Sequence, residues 1–140
     1  MKVLVDTSVW SLVLRRDAPR SSEVERELRE LLTEGRIVMA GPIRQELLSG
    51  IREESQFRQV RGKLRAFRDV GLDREDHEEA ALCFNRCRAA GVQGGAVDFL
   101  LCAAALRRKY AIFTTDVDFQ HYRRVLGVKL HEARPNPTSQ

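Results

Sequence analysis

Four acidic residues stand where carboxylates could act together: Asp6, Glu46, Asp98 and Asp116. Asp6 and Asp116 follow apolar runs typical of buried strands, whereas Glu46 and Asp98 fall early in two predicted helices. Each acid alone has an ordinary explanation as a turn residue, a helix cap or a solvated helix position. In an open parallel sheet, however, ligands bind beyond the carboxyl ends of the strands. The four positions together predict one acidic site at that edge.

A cluster of four carboxylates implies a cation, because each ionised carboxylate raises the pKa values of its neighbours. Mg²⁺ prefers oxygen ligands, usually a few carboxylates together with water and substrate phosphate. A divalent metal of this kind activates water and stabilises charge on a phosphoryl group. The predicted chemistry is therefore phosphodiester hydrolysis with Mg²⁺ as cofactor.

Three neighbouring polar residues could support the acids. Thr7 and Ser8 directly follow Asp6, and their hydroxyls could orient a water or a phosphate, although capping of the next helix explains either one equally well. Asp118 lies two residues beyond Asp116 and is either a fifth acid of the site or a supporting residue.

The length and composition describe one ordinary globular domain. Of the 140 residues, 43% are hydrophobic and 31% are charged, and such a chain can bury about two thirds of its unfolded surface. We expect a single domain over residues 1–132 and a flexible tail over 133–140. The apolar runs are too short to span a membrane, and three cysteines suit a reducing compartment, so a cytoplasmic location is expected.

Apolar runs and helical spacings alternate along the chain. Strands are predicted over 2–5, 37–40, 110–114 and 128–131, and helices over 9–16, 23–34, 42–48, 75–90, 96–108 and 116–124. Apolar residues spaced by three or four also predict an amphipathic helix over 53–69. This alternation predicts an α/β fold with a central parallel sheet flanked by helices on both faces.

The acids and their neighbours form four ordered motifs, which are Val3-Leu4-Val5-Asp6-Thr7-Ser8-Val9-Trp10, Gly41-Pro42-Ile43-Arg44-Gln45-Glu46-Leu47-Leu48-Ser49-Gly50, Val97-Asp98-Phe99-Leu100-Leu101-Cys102-Ala103-Ala104 and Thr114-Thr115-Asp116-Val117-Asp118-Phe119. The ordered set, which runs from residue 2 to about residue 131, resembles the PIN-domain ribonucleases of the VapC toxin type. No single motif is specific to that family. The order of all four carries the resemblance.

The resemblance implies a PIN-like fold and a metal-binding, catalytic quartet of Asp6, Glu46, Asp98 and Asp116, with Mg²⁺ or Mn²⁺ as cofactor. Thr114 matches the family's hydroxyl residue before the fourth acid. By the same resemblance, the chain would be an endoribonuclease that forms a homodimer and is inhibited by a cognate VapB-type antitoxin.

Basic residues must accompany an acidic site that binds a polyanion such as RNA. The formal charge of +4 and a pI of 9.3 agree weakly with a nucleic-acid partner. Arg15 and Arg16 lie one helix away from Asp6, so we expect them to contact RNA, although charged runs are usually solvated faces.

Other families fit the sequence less well. A haloacid-dehalogenase-like phosphatase would have a second Asp where Ser8 stands, and a response-regulator receiver would have an adjacent pair of acids near its first strand. Cys83 and Cys87 could ligate zinc with His77, but a second ligand pair is missing and buried thiols explain them better. The remaining alternative is a PIN-fold module that binds RNA without cleaving it.

Overall fold

The computed structural model describes residues 1–14 and 22–135, which fold around one parallel sheet. Its strands are β1 (Val3–Val5), β2 (Ile37–Val38), β3 (Ala111–Phe113) and β4 (Lys129–Leu130), in the order β2-β1-β3-β4. Every pairing is parallel, with Val5 opposite Phe113 where β1 and β3 meet. The predicted α/β fold with a central parallel sheet is confirmed.

Helices connect the strands within the described residues. They are α1 (Thr7–Leu14), α2 (Glu23–Thr33), α3 (Gly41–Leu48), α4 (Glu54–Leu64), α5 (Arg74–Ala89), α6 (Ala96–Arg108) and α7 (Asp118–Leu126). Local sequence explains several starts: the Ser22 hydroxyl accepts a hydrogen bond from the Glu25 N–H, and Asp73 and Asp76 form a reciprocal capping box. Gly91 follows α5 with a φ of 78°, a conformation that glycine adopts without strain.

The core lies between the sheet and the helices, and its centre is formed by β1, β3 and α6. All three residues of β1 are fully buried, as is Ile112 at the middle of β3. Helix α6 buries Phe99 and Leu101, together with a run of small residues that allows it to approach the sheet closely. The predicted central position of this apolar helix agrees with its burial.

The three cysteines are buried free thiols. Burial raises the pKa of Cys83 to about 11, and it also raises the pKa values of Cys87 and Cys102. A thiol with a raised pKa stays protonated at neutral pH and is a poor nucleophile and metal ligand. These side chains therefore contribute to packing.

Helix α4 ends earlier than the helix predicted over 53–69, and a residue from another helix contacts the carbonyls at and just beyond its end. The Arg44 guanidinium on α3 donates hydrogen bonds to the carbonyl oxygens of Leu64 (3.0 Å) and Phe67 (2.7 Å). It also pairs with the Asp69 carboxylate at 2.7 Å. Carbonyls at a helix end need such partners, and Arg44 supplies them where the spacing pattern alone would continue the helix.

The last described residues fasten β4 to α2. Arg134 pairs with Glu27 at 3.0 Å and with Glu34 at 2.7 Å, and His131 also contacts the Glu27 carboxylate. Hydrogen bonds from His131 and Arg134 lower the pKa of Glu27 against the opposing effect of burial. Arg134, the second residue of the tail predicted from residue 133, is thus held by ion pairs, while residues 136–140 lie outside the described part.

Across residues 1–14 and 22–135, no helix combines the length and the apolar character that crossing a membrane would require.

Replacing Lys109 with glycine is expected to stabilise the fold by about 0.5 kcal/mol. Lys109 ends α6 with a φ of 59°, in the left-handed region that a side chain disfavours. Glycine relieves this strain, although its freer unfolded chain offsets part of the gain. Urea unfolding of Lys109→Gly beside Lys109→Ala measures the effect, and equal stabilities for the two variants would contradict it.

Candidate metal and nuclease site

The first and fourth acids lie where two neighbouring strands end. Asp6 follows β1 and Asp116 comes shortly after β3, and the Asp6 N–H donates a 2.9 Å hydrogen bond to the Phe113 carbonyl. In the strand order, β2 lies beside β1 towards one edge of the sheet, and β4 lies beside β3 towards the opposite edge. The connections that follow β1 and β3 therefore lead in opposite directions. The boundary between β1 and β3 is thus a topological switch point, where α/β sheets open a crevice for ligands.

Two hydroxyl groups orient the Asp6 carboxylate. Thr114 Oγ1 lies 2.8 Å and Ser8 Oγ 3.0 Å from Asp6 Oδ2. The Asp116 N–H donates to Thr114 Oγ1, and the Thr115 N–H donates to Ser8 Oγ. A backbone N–H can only donate and a carboxylate oxygen accepts, so each hydroxyl accepts from the N–H and donates its own proton to Asp6. One oxygen of the Asp6 carboxylate thereby accepts hydrogen bonds from two hydroxyl donors.

Helices bring the second and third acids to the same edge. Glu46 lies on α3 and Asp98 lies in the first turn of α6. Burial and the charges of Asp6 and Asp98 raise the pKa of Glu46. Burial is also the main cause of the raised pKa of Asp98, to which the nearby Asp6 and Asp116 add. Asp6 and Asp98 are thus close enough to act on Glu46, and Asp6 and Asp116 are close enough to act on Asp98.

Asp118 and Thr7, which were also predicted to support the acids, lie next to Asp116 and Asp6 in the chain. The Asp118 N–H donates a 3.0 Å hydrogen bond to Asp116 Oδ1, which fixes Asp116 at the start of α7, while the Asp118 side chain is exposed. The Thr7 hydroxyl is buried, and among the described residues it has no hydrogen-bond partner. Arg15 and Arg16, predicted to contact RNA, lie outside the described residues.

A cleft of about 340 Å³ lies beside the acids. Its walls come from α1, α3 and α6 and consist of Thr7, Pro42, Gln45, Glu46, Ser49 and Val97. One of the predicted acids therefore faces an open space bordered by hydroxyl and amide groups. Such groups can form hydrogen bonds with a polar substrate.

Sequence reasoning missed one contact of the site. Tyr122 on α7 donates a 2.8 Å hydrogen bond from its hydroxyl to Asp98 Oδ2. The two residues are 24 positions apart and belong to different helices, so no local motif pairs them. The only hint in the sequence was a tyrosine on a short amphipathic helix next to the fourth acid.

The chemistry of these donors fits a hard divalent cation, because carboxylate oxygens are the ligands that Mg²⁺ prefers. Burial is the main cause of the raised pKa values of Glu46 and Asp98, repulsion by neighbouring acids adds to it, and a cation would offset both effects. In the part of the chain that the structure describes, no three His, Cys, Asp or Glu side chains are arranged so as to hold a metal ion. The carboxylate donors fit a divalent cation in their chemistry, and the four acidic side chains would have to move closer together to bind it.

A parallel sheet with a topological switch point is typical of the α/β proteins, whose ligand sites lie at the carboxyl ends of the strands. A family model described as PIN domain matches residues 3–125. The chain belongs to the PIN domain family. No curated protein matches the sequence.

Solved structures with the same fold come from several bacteria. FitAcB from Neisseria gonorrhoeae is 19% identical, with a TM-score of 0.76, and 94% of this chain and 97% of that chain are covered. VapBC2 from Rickettsia felis, bound to a DNA fragment from their promoter, is 13% identical, with a TM-score of 0.77 and coverages of 94% and 98%. A toxin-antitoxin complex from Klebsiella pneumoniae is 16% identical, with a TM-score of 0.62 and coverages of 84% and 90%. At these identities the likeness establishes the fold.

Replacing Thr114 with valine is expected to weaken Mn²⁺ binding by about 10-fold. Valine keeps the shape of threonine but removes the donor to Asp6 Oδ2 and the acceptor for the Asp116 N–H. Calorimetric titration with Mn²⁺ measures the effect. Thr115→Val changes the exposed neighbour and serves as the control, and equal affinities for the two variants would contradict the role given to Thr114.

Proposed function

We propose that this chain is a divalent-metal-dependent endoribonuclease and the toxin component of a toxin-antitoxin pair. The observation that carries the proposal is a PIN fold in which Asp6 and Asp116 follow neighbouring strands at the switch point, with Glu46 and Asp98 on the helices α3 and α6 near them. Neighbouring acids, together with burial, raise the pKa values of Glu46 and Asp98, and a bound cation would offset the cost of keeping these two groups ionised.

Asp6, Glu46, Asp98 and Asp116 would hold Mg²⁺ or Mn²⁺. When bound, the metal would supply positive charge that stabilises the phosphodiester and activates water for its hydrolysis. The residues around it act by orientation: Ser8 and Thr114 fix one oxygen of Asp6, and the Asp118 N–H fixes Asp116. We assign no nucleophilic side chain, because water is the nucleophile in such a reaction.

The cleft beside Glu46 supports a role in substrate binding. The Thr7 hydroxyl, which has no partner among the described residues, and the exposed Gln45 amide border it. Both groups can form hydrogen bonds with the ribose hydroxyls or base edges by which proteins recognise RNA. We therefore propose that nucleotides adjoining the cleaved phosphate bind in this cleft.

An antitoxin partner is the second part of the proposal. It is supported by the resemblance of the four motifs to VapC-type toxins and by the FitAcB, VapBC2 and Klebsiella toxin-antitoxin neighbours. A VapB-type protein would block the acidic edge. Homodimer formation, which the resemblance implies, remains a prediction that multi-angle light scattering checks.

One observation favours the alternative of a PIN-fold module that binds RNA without cleaving it. The described residues contain no closed three-ligand arrangement for a metal ion. A protein of this kind would bind RNA equally well in EDTA and would leave it intact.

The decisive experiment incubates antitoxin-free protein with total RNA and with structured RNAs, in Mg²⁺ or Mn²⁺ and in EDTA. Asp6→Asn, purified in the same way, is the matched variant, because it removes a charge and keeps the size of the side chain. Cleavage that requires both the metal and Asp6 supports the nuclease, and mapping the new ends identifies the target. RNA binding without cleavage, combined with no Mn²⁺ binding by calorimetry, would establish the non-catalytic module instead.

A further inference from the structure

The side chain of Tyr122 is held rigidly against the site. It is fully buried, and its ring packs against Phe99 and Phe119, with ring centroids 5.0 Å apart in each pair. A buried tyrosine hydroxyl needs a hydrogen-bond partner, and here the partner is Asp98 Oδ2 at 2.8 Å. The aromatic packing leaves the hydroxyl little freedom to point elsewhere.

Gly94 provides the space for this contact. A Cβ atom added at Gly94 would lie 2.4 Å from the Tyr122 hydroxyl and 2.8 Å from the end of the Phe99 ring. Both separations are far inside normal contact distance, and the ring of Phe99 is itself buried. Any larger residue at this position must push the tyrosine hydroxyl away from Asp98. Gly95, the next residue, has nothing within 4 Å of an added Cβ.

The contact repeats the arrangement around Asp6. Asp6 Oδ2 accepts hydrogen bonds from the hydroxyls of Ser8 and Thr114, and Asp98 Oδ2 accepts one from Tyr122. In each case hydroxyl donors occupy one oxygen of an acid and so set the direction of the other. Partners of this kind orient metal ligands and are nearly as important as the ligands themselves.

From this geometry we infer that Tyr122 is a positioning residue, which holds the Asp98 carboxylate so that its second oxygen faces a divalent cation, and that Gly94 is required to admit the tyrosine hydroxyl. This inference rests on the proposed function, because it presupposes that Asp98 binds a metal ion. It adds two residues, on α7 and in the segment before α6, to the machinery of the site.

The test is the affinity of the full chain for Mn²⁺, measured by calorimetry in the absence of RNA. Tyr122→Phe keeps the ring and its packing but removes the hydroxyl, and we expect its affinity to fall by about 10-fold. Tyr110→Phe, at a half-buried tyrosine beside β3, is the matched control and should bind as the wild type does. Thermal unfolding without metal should be similar for both variants.

A double-mutant cycle then tests the part played by Gly94. Gly94→Ala should weaken Mn²⁺ binding to a similar extent, and Gly95→Ala should not. If both residues act through the same hydroxyl, the losses in Gly94→Ala and Tyr122→Phe do not add in the double variant. Additive losses would overturn the assignment of Gly94.

The outcomes separate this inference from the function on which it rests. Wild-type protein that binds Mn²⁺, with Tyr122→Phe binding equally well, would overturn the role of Tyr122 and leave the metal site intact. If Tyr122→Phe unfolds at a lower temperature but binds Mn²⁺ with unchanged affinity, the tyrosine hydroxyl contributes to stability alone. Wild-type protein that binds no Mn²⁺ would overturn both the inference and the metal-dependent function.

Discussion

Replacing Asp98 with asparagine is expected to reduce RNA cleavage by at least about 100-fold, the upper end of what even the partners of metal ligands contribute. Asparagine has the size of aspartate but no charge, and it can still accept the hydrogen bond from Tyr122. The loss would therefore come from cation binding and not from packing. Cleavage assays in Mg²⁺, together with growth inhibition in cells that lack the antitoxin, measure the effect.

The same variant should remain folded, and the difference in stability between the wild type and the variant should depend on pH in a defined direction. Burial, with the neighbouring acids, raises the pKa of Asp98 above its unfolded value. Stability from such a group is present below the unfolded pKa and is lost as the pH rises through the folded pKa. In EDTA at neutral pH, Asp98→Asn should thus unfold at the same temperature as the wild type or a higher one, and the two should converge in acid.

An exposed acid supplies the control for this prediction. Glu78 lies on the outer face of α5, so Glu78→Gln removes one negative charge without touching the acidic edge. Its cleavage rate should match that of the wild type. Well-folded Asp98→Asn protein that still cleaves RNA and arrests growth would rule out the assignment of the quartet.

Replacing Asp76 with asparagine is expected to destabilise the fold by about 3 kcal/mol. Asp76 is fully buried at the start of α5, and its carboxylate pairs with Arg107 at 2.6 Å and with Arg108 at 2.7 Å, both from the end of α6. The Asp73 N–H donates to the same carboxylate. Removal of the charge leaves two arginines without their shared partner, and breaking a buried pair on one side is costly.

The destabilisation should depend on pH with the opposite sign to that of Asp98. The hydrogen bond from Arg108, with further help from Asp73 and Arg107, lowers the pKa of Asp76 well below its usual range despite the effect of burial. Stability from such a group is present above the unfolded pKa, near 4, and is lost as the pH falls through the folded pKa. The difference between wild type and Asp76→Asn should therefore be full at pH 7 and shrink below about pH 4.

Urea unfolding at several pH values measures this difference. Glu75→Gln, at the exposed neighbouring position of α5, is the control and should change the free energy of unfolding by less than about 0.5 kcal/mol. A constant difference between wild type and Asp76→Asn from pH 7 to pH 3 would contradict the ionic origin of the stabilisation.

Much of the fold could be predicted because the relevant interactions are local. Short β-branched and aliphatic runs identified β1 and β3, and a serine cap, a proline and glycines identified the ends of α2, α3 and α5. Two helices depart from the prediction: α1 begins at Thr7 and not at residue 9, so Thr7 and Ser8 lie within the helix that they were expected to cap, and α4 ends before its apolar spacing does. The end of α4 is contacted by Arg44, which lies 20 residues before Leu64 in the sequence.

The four acids of the candidate site were also predictable, since the parallel order of strands brings their carboxyl ends to one edge. Their roles as metal ligands remain predictions. The hydroxyls of Ser8 and Thr114 could be proposed from their places beside the acids, although their shared contact with Asp6 Oδ2 could not.

The order of strands and helices, and the acids that follow them, could be predicted from local patterns, because periodicity, caps and turn residues act over a few positions of the chain. Only the packed structure shows that Tyr122 contacts Asp98, that Gly94 leaves room for its hydroxyl, and that Asp76 pairs with two arginines. These contacts join side chains from different elements, and they exist only once α5, α6 and α7 have packed. Their geometry is set by helix packing, which cannot be predicted from a local pattern of residues.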